Sequence, residues 1–345
     1  MLPSLYGNNL ERIESWLLKG GHSTSCADIL CRYIYNGRNK KLLPQFSKTV
    51  LEQLENEFTS ELPKPSSIQR AKDGTIKFLL ELHDGEKVEA VLIPFYKRYT
   101  LCVSSQVGCA MNCDFCYTGT MGLKRNLEAG EIVGQYLFAY EFLKAEKGSN
   151  EPRPNIVMMG MGEPLHNFEE VKMALKVFTA EKGLALSPRQ ITLSTVGYLP
   201  GLKRWHEMPP VNLALSLHSP IKEVRDKLIP VNRGWPLPEV MEVLDKLPLH
   251  HRQVITYEYL LIKGMTDRDS DAHELAKIIL GKRAMINLIP FNPYPGSEYK
   301  KPSTDDVERF KKILVSYSLM TMVRTTKGDE ILAACGQLKA KQLSL

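Results

Sequence analysis

The stretch that decides the fold is Cys109-Ala-Met-Asn-Cys113-Asp-Phe-Cys116, in which three cysteines occupy eight residues. Thiolate sulfur is the preferred protein ligand of iron–sulfur clusters. Because a cubane cluster contains four irons, three cysteines leave one iron without a protein ligand. The C-x3-C-x2-C spacing therefore predicts a [4Fe–4S] cluster held by Cys109, Cys113 and Cys116, with one reactive iron.

Two other interpretations of this motif are open. A structural zinc ion takes four ligands, usually as two spaced pairs, and no nearby paired Cys or His supplies the fourth. Three buried, unliganded thiols are the second interpretation, but Asn112, Asp114 and Gly119 are typical of an exposed loop.

A cluster with an open iron could bind the amino and carboxylate groups of S-adenosylmethionine and reduce its sulfonium, which releases a 5′-deoxyadenosyl radical.

Composition limits the class of protein. A chain of 345 residues with 43% hydrophobic residues can bury a large core, as one barrel or as two domains. The sequence has no apolar run of about eighteen residues and no charged segment followed by an apolar run at its start, so it predicts neither a membrane span nor a signal peptide. We therefore expect a cytoplasmic protein, in which clustered thiols favour metal or redox chemistry over disulfides.

The charge is compatible with a polyanionic partner but does not establish one. The formal net charge is +6, which is mild for a nucleic-acid-binding protein. Local basic groups are more suggestive, although each alone is more typical of a solvated face: Arg38/Lys40/Lys41, Lys97/Arg98, Lys124/Arg125 and Lys300/Lys301.

The first part of the chain predicts three helices and a hairpin. Apolar residues fall on one helical face in residues 10–17, 29–34 and 50–58. Pro63 and Pro65, with two serines after them, predict a linker that ends this helical region. Two strands around Asp84-Gly85 then predict a β-hairpin, with Pro94 ending the second strand.

From about residue 100 the pattern alternates between buried strands and amphipathic helices. Such alternation predicts parallel βα units, and six or so of them predict an α/β fold with a partial (β/α)6 barrel. The predicted strands are residues 101–104, 156–159, 191–194, 211–217, 254–262, 286–289 and 320–323, and the clearest helices are 128–143, 168–180, 270–280 and 305–317.

Polar residues follow several of these strands, where a barrel builds its ligand site. The cysteine loop follows the first strand, and Gly160-Met161-Gly162-Glu163-Pro164 follows the second. Ser194 and Thr195 end the third strand, Ser216 and His218 end the fourth, and Asn292 comes just after the sixth. Each is weak alone: the glycines fit any strand-to-loop turn, the serines and Asn292 could cap helices, and His218 could be an ordinary loop histidine. Their convergence on one barrel mouth is the stronger argument.

The remaining four cysteines divide into two pairs. Cys26 and Cys31 lie in the apolar helical region and are interpreted as packing residues. Cys102 lies on or beside the first barrel strand, and Cys335 lies in the small-residue segment Ala333-Ala334-Cys335-Gly336. Cys335 could be a buried packing residue, or a mobile thiolate that accepts a methyl group at the barrel mouth.

Five segments carry a resemblance to a known family: Cys-Val-Ser-Ser-Gln-Val-Gly-Cys-Ala-Met-Asn-Cys-Asp-Phe-Cys (102–116), Met-Gly-Met-Gly-Glu-Pro-Leu (159–165), Leu-Ser-Leu-His (215–218), Ile-Pro-Phe-Asn-Pro-Tyr-Pro-Gly (289–296) and Ala-Ala-Cys-Gly-Gln-Leu (333–338). With them the chain closely resembles the dual-specificity RNA adenine methyltransferases of the radical S-adenosylmethionine superfamily. The resemblance implies a helical accessory domain that binds RNA (1–66), a β-hairpin and linker (67–96), and a radical S-adenosylmethionine core barrel with a C-terminal cysteine loop (97–345).

The activity that the resemblance implies is methylation of adenine C2 in 23S rRNA and in certain tRNAs. Two molecules of S-adenosylmethionine would be used per turnover, one to methylate Cys335 and one to make the radical that activates that methyl group. An electron donor such as flavodoxin is the implied protein partner, and we expect a monomer. A related resistance enzyme that methylates C8 shares the cysteine set and is the nearest alternative.

The resemblance also assigns roles to individual residues. Cys335 would carry the S-methyl group, Cys102 would form a transient disulfide with it, and Glu89 would accept a proton. The residues expected to hold S-adenosylmethionine are Gly162, Glu163, Ser194, Leu217, His218, Ser219 and Asn292. One departure is Tyr117, where the family commonly has a small residue, and we expect it to change packing over the cluster without removing a ligand.

Overall fold

The N-terminal region is helical, as predicted. The computed structural model describes residues 2–35, 40–96, 98–148, 150–250 and 253–340. Three helices form this region, each with apolar residues buried on one face: α1 (Leu10–Lys19), α2 (Ala27–Tyr35) and α3 (Lys48–Glu57). Asn9 caps α1 by accepting a hydrogen bond from the Arg12 N–H at 3.1 Å, and Ser47 caps α3 in the same way.

The predicted linker after these helices is wrong, because its residues form a strand. Strand β1 (Lys64–Arg70) includes Pro65 and pairs antiparallel with β2 (Ile76–Glu81). It is the outermost strand of the sheet and is almost wholly exposed. An edge strand tolerates proline, and an exposed strand carries no buried apolar pattern, so its sequence resembles a loop.

The predicted hairpin is present and continues into the barrel. Strands β2 (Ile76–Glu81) and β3 (Lys87–Phe95) pair antiparallel across a turn at Gly85, whose φ is 82°. Strand β3 then pairs antiparallel with β4 (Arg98–Cys102), the first strand of the parallel run. One sheet therefore includes both the hairpin and the core, and the proposed boundaries 1–66, 67–96 and 97–345 stay a prediction.

The core is the predicted partial α/β barrel. From β4 onward each strand of the main sheet pairs in parallel with the next one along the chain, and the further strands are β7 (Asn155–Met158), β8 (Ile191–Thr195), β9 (Asn212–Ser216), β10 (Ile255–Leu261), β11 (Ala284–Pro290) and β12 (Thr321–Val323). Between β4 and β7 a separate small sheet is formed by β5 (Gln106–Gly108) and β6 (Leu123–Asn126).

Helices lie between the parallel strands, as the alternation predicts. They are α4 (Ala129–Lys147), α5 (Phe168–Thr179), α6 (Leu199–Leu202), α7 (Lys222–Leu228), α8 (Leu237–Asp245), α9 (Asp269–Ile279) and α10 (Thr304–Ser316). Sheet and helices share one apolar core, in which Tyr136 of α4 and Phe310 of α10 are fully buried. The carboxyl ends of the parallel strands therefore meet at one mouth.

The basic groups have different environments. Lys124 pairs with Glu86 at 2.9 Å, and Arg125 pairs with both Asp84 and Glu131. Arg38 and Lys97, with the side chains of Lys40 and Lys41, lie outside the described residues. None of the helices in the described part of the chain is both long and apolar enough to cross a membrane.

Candidate active site

The barrel mouth encloses a cavity where the predicted site residues meet. Its volume is about 930 Å³, part of it open to solvent. Its lining includes the three motif cysteines together with Gly160, Gly162, Glu163, Ser194, Ser216, His218 and Cys335. Residues separated by more than two hundred positions in the chain thus share one cavity, as the convergence argument expects.

The cysteine loop is shaped by local backbone contacts. Gly108 has φ 78° and lies so close to the Gly122 carbonyl that a Cβ would collide with it. The Cys109 N–H donates to that carbonyl at 2.9 Å, and the Cys116 N–H donates to the Cys113 carbonyl at 3.1 Å. Of the flanking residues expected to be exposed, Asn112 and Asp114 are exposed, but Gly119 is buried because it packs against the loop backbone.

The three thiols line one cavity. Among the described residues, no three or more His, Cys, Asp or Glu side chains are grouped as one metal ion requires. In a cubane each cysteine binds a different iron, so the thiols need only line one space. Burial raises the pKa of Cys109 to about 12 and raises the pKa values of Cys113 and Cys116. Metal binding deprotonates a thiol outright, and it would offset the cost of forming a thiolate in this buried position.

Beside the thiols, the glycine-rich loop forms a cradle with a buried carboxylate. A Cβ at Gly162, whose φ is 105°, would lie 2.6 Å from the Cβ of Gln106. Glu163 follows Gly162, and burial raises the pKa of its carboxyl to about 7. Hydrogen bonds to the carboxylate, including one from the Val196 N–H at 2.9 Å, oppose this rise. A backbone that a ligand can approach closely and a buried acceptor fit the amino group of S-adenosylmethionine.

We expect Gly162→Ala to destabilise the protein more than Gly264→Ala. Both glycines have positive φ, so alanine at either costs about 1–2 kcal/mol of backbone strain. At Gly264 no atom lies within 4 Å of an added Cβ, so only Gly162→Ala also creates a collision. That collision should add about 1–3 kcal/mol to the loss of unfolding free energy. Denaturant titration of both variants measures this difference, and equal losses would contradict the cradle geometry.

His218 presents an unpartnered ring nitrogen in the buried site. Its side chain is 3% exposed, its φ is 56°, and its Nδ1 has no hydrogen-bond partner. Burial, with the nearby Arg225, lowers the pKa of His218 to about 3, so the ring is neutral. The ring packs edge-on against Phe115 of the cysteine loop at 4.6 Å. A neutral imidazole whose Nδ1 has no partner fits a hydrogen bond to a bound ligand.

The other predicted cofactor residues are placed unequally. Ser194 lines the cavity, whereas Leu217 and Ser219 flank His218 and are not among the lining residues. Ser219 instead uses its hydroxyl to accept the Ile221 N–H at 3.1 Å. Asn292 lines a neighbouring cavity, where its side-chain oxygen accepts the Thr326 hydroxyl at 3.0 Å. The cofactor roles of all four residues stay predictions.

A second cavity adjoins the first, and Cys335 lines both. The second cavity has a volume of about 1670 Å³ and is lined by residues that include Cys102, Asn292 and Arg324. Burial raises the pKa of Cys102 to about 12, with Cys335 as a further cause. Both thiols are free in this structure. Cys335 thus lies in a wall between two spaces, and the predicted disulfide stays a prediction.

Glu89 lies outside the lining of both cavities. Its side chain is buried and forms an ion pair with Lys77, with 3.1 Å between Nζ and Oε1. Its other oxygen accepts the backbone N–H of Lys339 at 2.8 Å. Burial raises the pKa of Glu89, and Lys77 opposes this shift. The predicted proton-acceptor role of Glu89 stays a prediction.

Two charged residues of the site were missed by the sequence reasoning. Arg324 follows β12 and lines both cavities, and its pKa is raised by Cys335 and, to a smaller extent, by Glu258. Glu258 lies on β10 and is 4% exposed, and its carboxylate accepts the Asn287 side-chain N–H at 2.7 Å. A glutamate in the otherwise apolar run Tyr-Glu-Tyr-Leu-Leu was the available signal.

A third missed residue, Arg225, holds the strand-to-helix loops together. It is 1% exposed, and its guanidinium donates to the carbonyls of Ser216 and Val196, both at 2.8 Å. It also donates to the carbonyl of Leu217 and to Asn232. These bonds fix the loop that carries His218, and nothing in the local sequence around α7 marks this role.

Tyr117 packs beside the cluster loop, and its effect relative to the small residue of the family pattern stays a prediction. Its ring stacks on Tyr294 with centroids 4.8 Å apart, and the Lys339 ammonium lies 4.1 Å from the ring centre. The Tyr117 N–H also donates to the Gly336 carbonyl at 2.7 Å. Tyr117 therefore joins the cysteine loop to the segment that carries Cys335.

A partial α/β barrel with a C-x3-C-x2-C loop beside a glycine-rich cradle at its mouth defines a radical S-adenosylmethionine enzyme. Residues 103–276 match the Radical SAM superfamily. The crystal structure of a radical SAM methyltransferase from Sphaerobacter thermophilus superposes with a TM-score of 0.90 at 36% identity, covering 98% of this chain and 100% of that chain. This superfamily implies a [4Fe–4S] cluster and S-adenosylmethionine as cofactors.

The relatives narrow the class further. The dual-specificity RNA methyltransferase RlmN of Syntrophobacter fumaroxidans is 44% identical over 334 residues, which covers 96% of each chain. RlmN of Syntrophotalea carbinolica is 40% identical over 96% of this chain and 88% of the relative. The chain belongs to the family of dual-specificity RNA methyltransferases RlmN.

Proposed function

We propose that this protein methylates C2 of adenine in 23S rRNA and in certain tRNAs through a methyl group carried on Cys335. The observation that carries the proposal is the position of Cys335 in the wall shared by two cavities. One cavity has the thiols, cradle and buried carboxylate expected of a cofactor site. The other is lined by Phe95 and Tyr96, two exposed aromatic residues at the end of hairpin strand β3 and directly after it.

In this proposal the first cavity holds the cofactors. Cys109, Cys113 and Cys116 would hold the cluster, and Gly162, Glu163, Ser194 and His218 would hold S-adenosylmethionine. When bound, these two groups supply one-electron cleavage that produces a 5′-deoxyadenosyl radical. The buried Glu163 would accept a hydrogen bond from the ammonium group of S-adenosylmethionine. The neutral His218 ring would form a hydrogen bond to the cofactor through Nδ1. Use of two S-adenosylmethionine molecules per turnover is part of the proposal.

Cys335 would link the two cavities chemically. Its thiolate sulfur would form a bond to the sulfonium methyl carbon as that carbon leaves S-adenosylmethionine, which departs as S-adenosylhomocysteine. Arg324 is partly buried and lines both cavities with Cys335, so its guanidinium would lie beside the reacting sulfur during transfer. After the carbon carried by Cys335 has bonded to adenine C2, Cys102, which lines the second cavity, would form a disulfide with Cys335 as the bond between the Cys335 sulfur and that carbon breaks. The carbon would take a proton and stay on the RNA as a methyl group, and one electron would return to the cluster. We expect all of this to occur in the cytoplasm.

The second cavity would hold the target adenine. A base inside a duplex must leave its stack to reach an enclosed site, which costs a few kcal/mol. Adenine C2 is electron-poor, so it cannot attack a sulfonium methyl group as an ordinary nucleophile. A carbon radical can add to it. The helical region and the hairpin are our candidates for contacting folded RNA by its shape and backbone charge.

Nucleoside mass analysis tests the proposal. We expect the reconstituted enzyme, given S-adenosylmethionine, a reductant and unmodified 23S rRNA or tRNA, to produce 2-methyladenosine. Cys335→Ala is the matched control, and we expect it to form no methylated adenosine. Formation of 8-methyladenosine would instead support the C8 alternative, and the absence of any methylated adenosine from a cluster-loaded enzyme would refute the proposal.

A further inference from the structure

A buried ion pair contacts the chain on both sides of Cys335. We define the Cys335 segment as residues 328–339. Besides its 3.1 Å contact with Glu89, the Lys77 ammonium donates to the Leu332 carbonyl at 3.2 Å. Glu89 in turn accepts the Lys339 N–H at 2.8 Å. One pair from the hairpin strands therefore holds a residue three positions before Cys335 and a residue four positions after it.

We propose that Lys77 is a positioning residue that fixes the Cys335 segment so that the thiol stays in the wall between the two cavities. This deepens the proposed function and rests on it. Lys77 lines neither cavity, so it acts on the thiol only through the segment's backbone and through Glu89.

The segment needs external support because it has little regular structure of its own. A single short 3-10 turn, Asp329–Ile331, lies within it. Gly328, Leu332 and Gly336 all have positive φ, at 67°, 51° and 84°. A leucine in the left-handed region is strained, and such strain persists only where neighbours over-determine the conformation. The strained Leu332 is the residue whose carbonyl Lys77 binds.

The turn before β2 supports the same segment. Asp73 accepts the Gly328 N–H at 2.9 Å, and a Cβ at Gly328 would lie 2.8 Å from the Thr75 side chain. The Lys72 N–H also donates to Glu330. The hairpin side that carries Lys77 is thus a continuous seat for the segment, with Lys77 nearest to Cys335 along the chain.

The energetics of a buried ion pair couple it to the seated segment. Lys77 and Glu89 have side chains only 10% and 5% exposed. Desolvation of two such charges is repaid only when further hydrogen bonds satisfy them. The Leu332 carbonyl and the Lys339 N–H supply those bonds, so displacement of the segment would leave both charged groups incompletely satisfied. The pair therefore favours the seated conformation.

The test measures how readily Cys335 is alkylated in the full-length, cluster-loaded protein without S-adenosylmethionine or RNA. Lys77→Met removes the ammonium group but keeps much of the side-chain length. We expect this substitution to raise the alkylation rate of Cys335 by about tenfold. Peptide mass analysis measures that rate. Lys87→Met is the matched control, because Lys87 pairs with Glu81 at 3.3 Å on the same two strands, away from the segment.

A double variant keeps the test decisive if Lys77→Met fails to fold. Lys77→Met/Glu89→Met leaves no unpaired buried charge, and replacing a buried ion pair by apolar residues is often neutral for stability. It should expose Cys335 and speed amide hydrogen exchange in residues 328–339. Wild-type alkylation in either folded variant, or an equal increase in Lys87→Met, would overturn the proposal. The readout needs no methyl transfer, so failure of the proposed function would show separately, as an unmethylated Cys335 in the wild type.

Discussion

Replacing Cys335 by serine is expected to abolish RNA methylation while the cluster still assembles. The proposed reaction needs a nucleophile that takes a methyl group from a sulfonium and then holds it at the second cavity. A thiolate does this far better than a hydroxyl, whose oxygen stays protonated near neutral pH. Because the whole reaction passes through this atom, we expect activity to fall by about 10³-fold or more.

The measurement is transfer of a labelled methyl group, first to the protein and then to RNA. Wild-type protein should yield one labelled peptide that contains Cys335. Cys26→Ser is the matched control, since Cys26 is half-buried in the helical region, where its thiol donates to the Ser23 carbonyl at 3.7 Å. A Cys335→Ser enzyme that still forms methyladenosine would show that the methyl group reaches RNA by another route.

The sequence predicted those parts of the fold whose signal is local. Strand β10 is mostly apolar because both of its faces are buried, whereas β8 alternates buried Ile191 and Leu193 with partly buried polar residues. A short window of sequence reveals either pattern. Strand β1 was missed for the opposite reason. It is an exposed edge strand held by backbone hydrogen bonds to β2, and Pro65 within it is typical of a loop.

The site divides in the same way. The cluster cysteines and Gly162-Glu163 are contiguous motifs, and the strand-end rule was enough to place them at one mouth. Arg324, Arg225 and Lys77 gain their roles from contacts with residues distant in the chain. Lys77, for example, meets Leu332 across 255 positions. A single sequence holds no signal for such pairings, and only the folded chain shows them.

The other large effect is expected for Cys113→Ala, which should abolish both cluster binding and radical formation. With one of the three thiols removed, a second iron would lack its protein ligand. Apart from the two remaining motif cysteines, Cys335 is the one cysteine among the lining residues of this cavity that could replace the lost thiol. Loss of an outer-shell partner of a metal costs about 10–100-fold, and loss of a direct ligand should cost more. We therefore expect no detectable 5′-deoxyadenosine.

Cys31→Ala is the control for this variant, because Cys31 is 1% exposed in α2 and Cys113 is 7% exposed. Both changes delete a buried sulfur, so their packing costs should be similar, and only Cys113→Ala should remove iron. Iron and sulfide analysis, with electron paramagnetic resonance of the reduced protein prepared without oxygen, gives the readout. Full iron content in Cys113→Ala, or one zinc in place of iron in the wild type, would refute the cluster assignment and with it the radical chemistry.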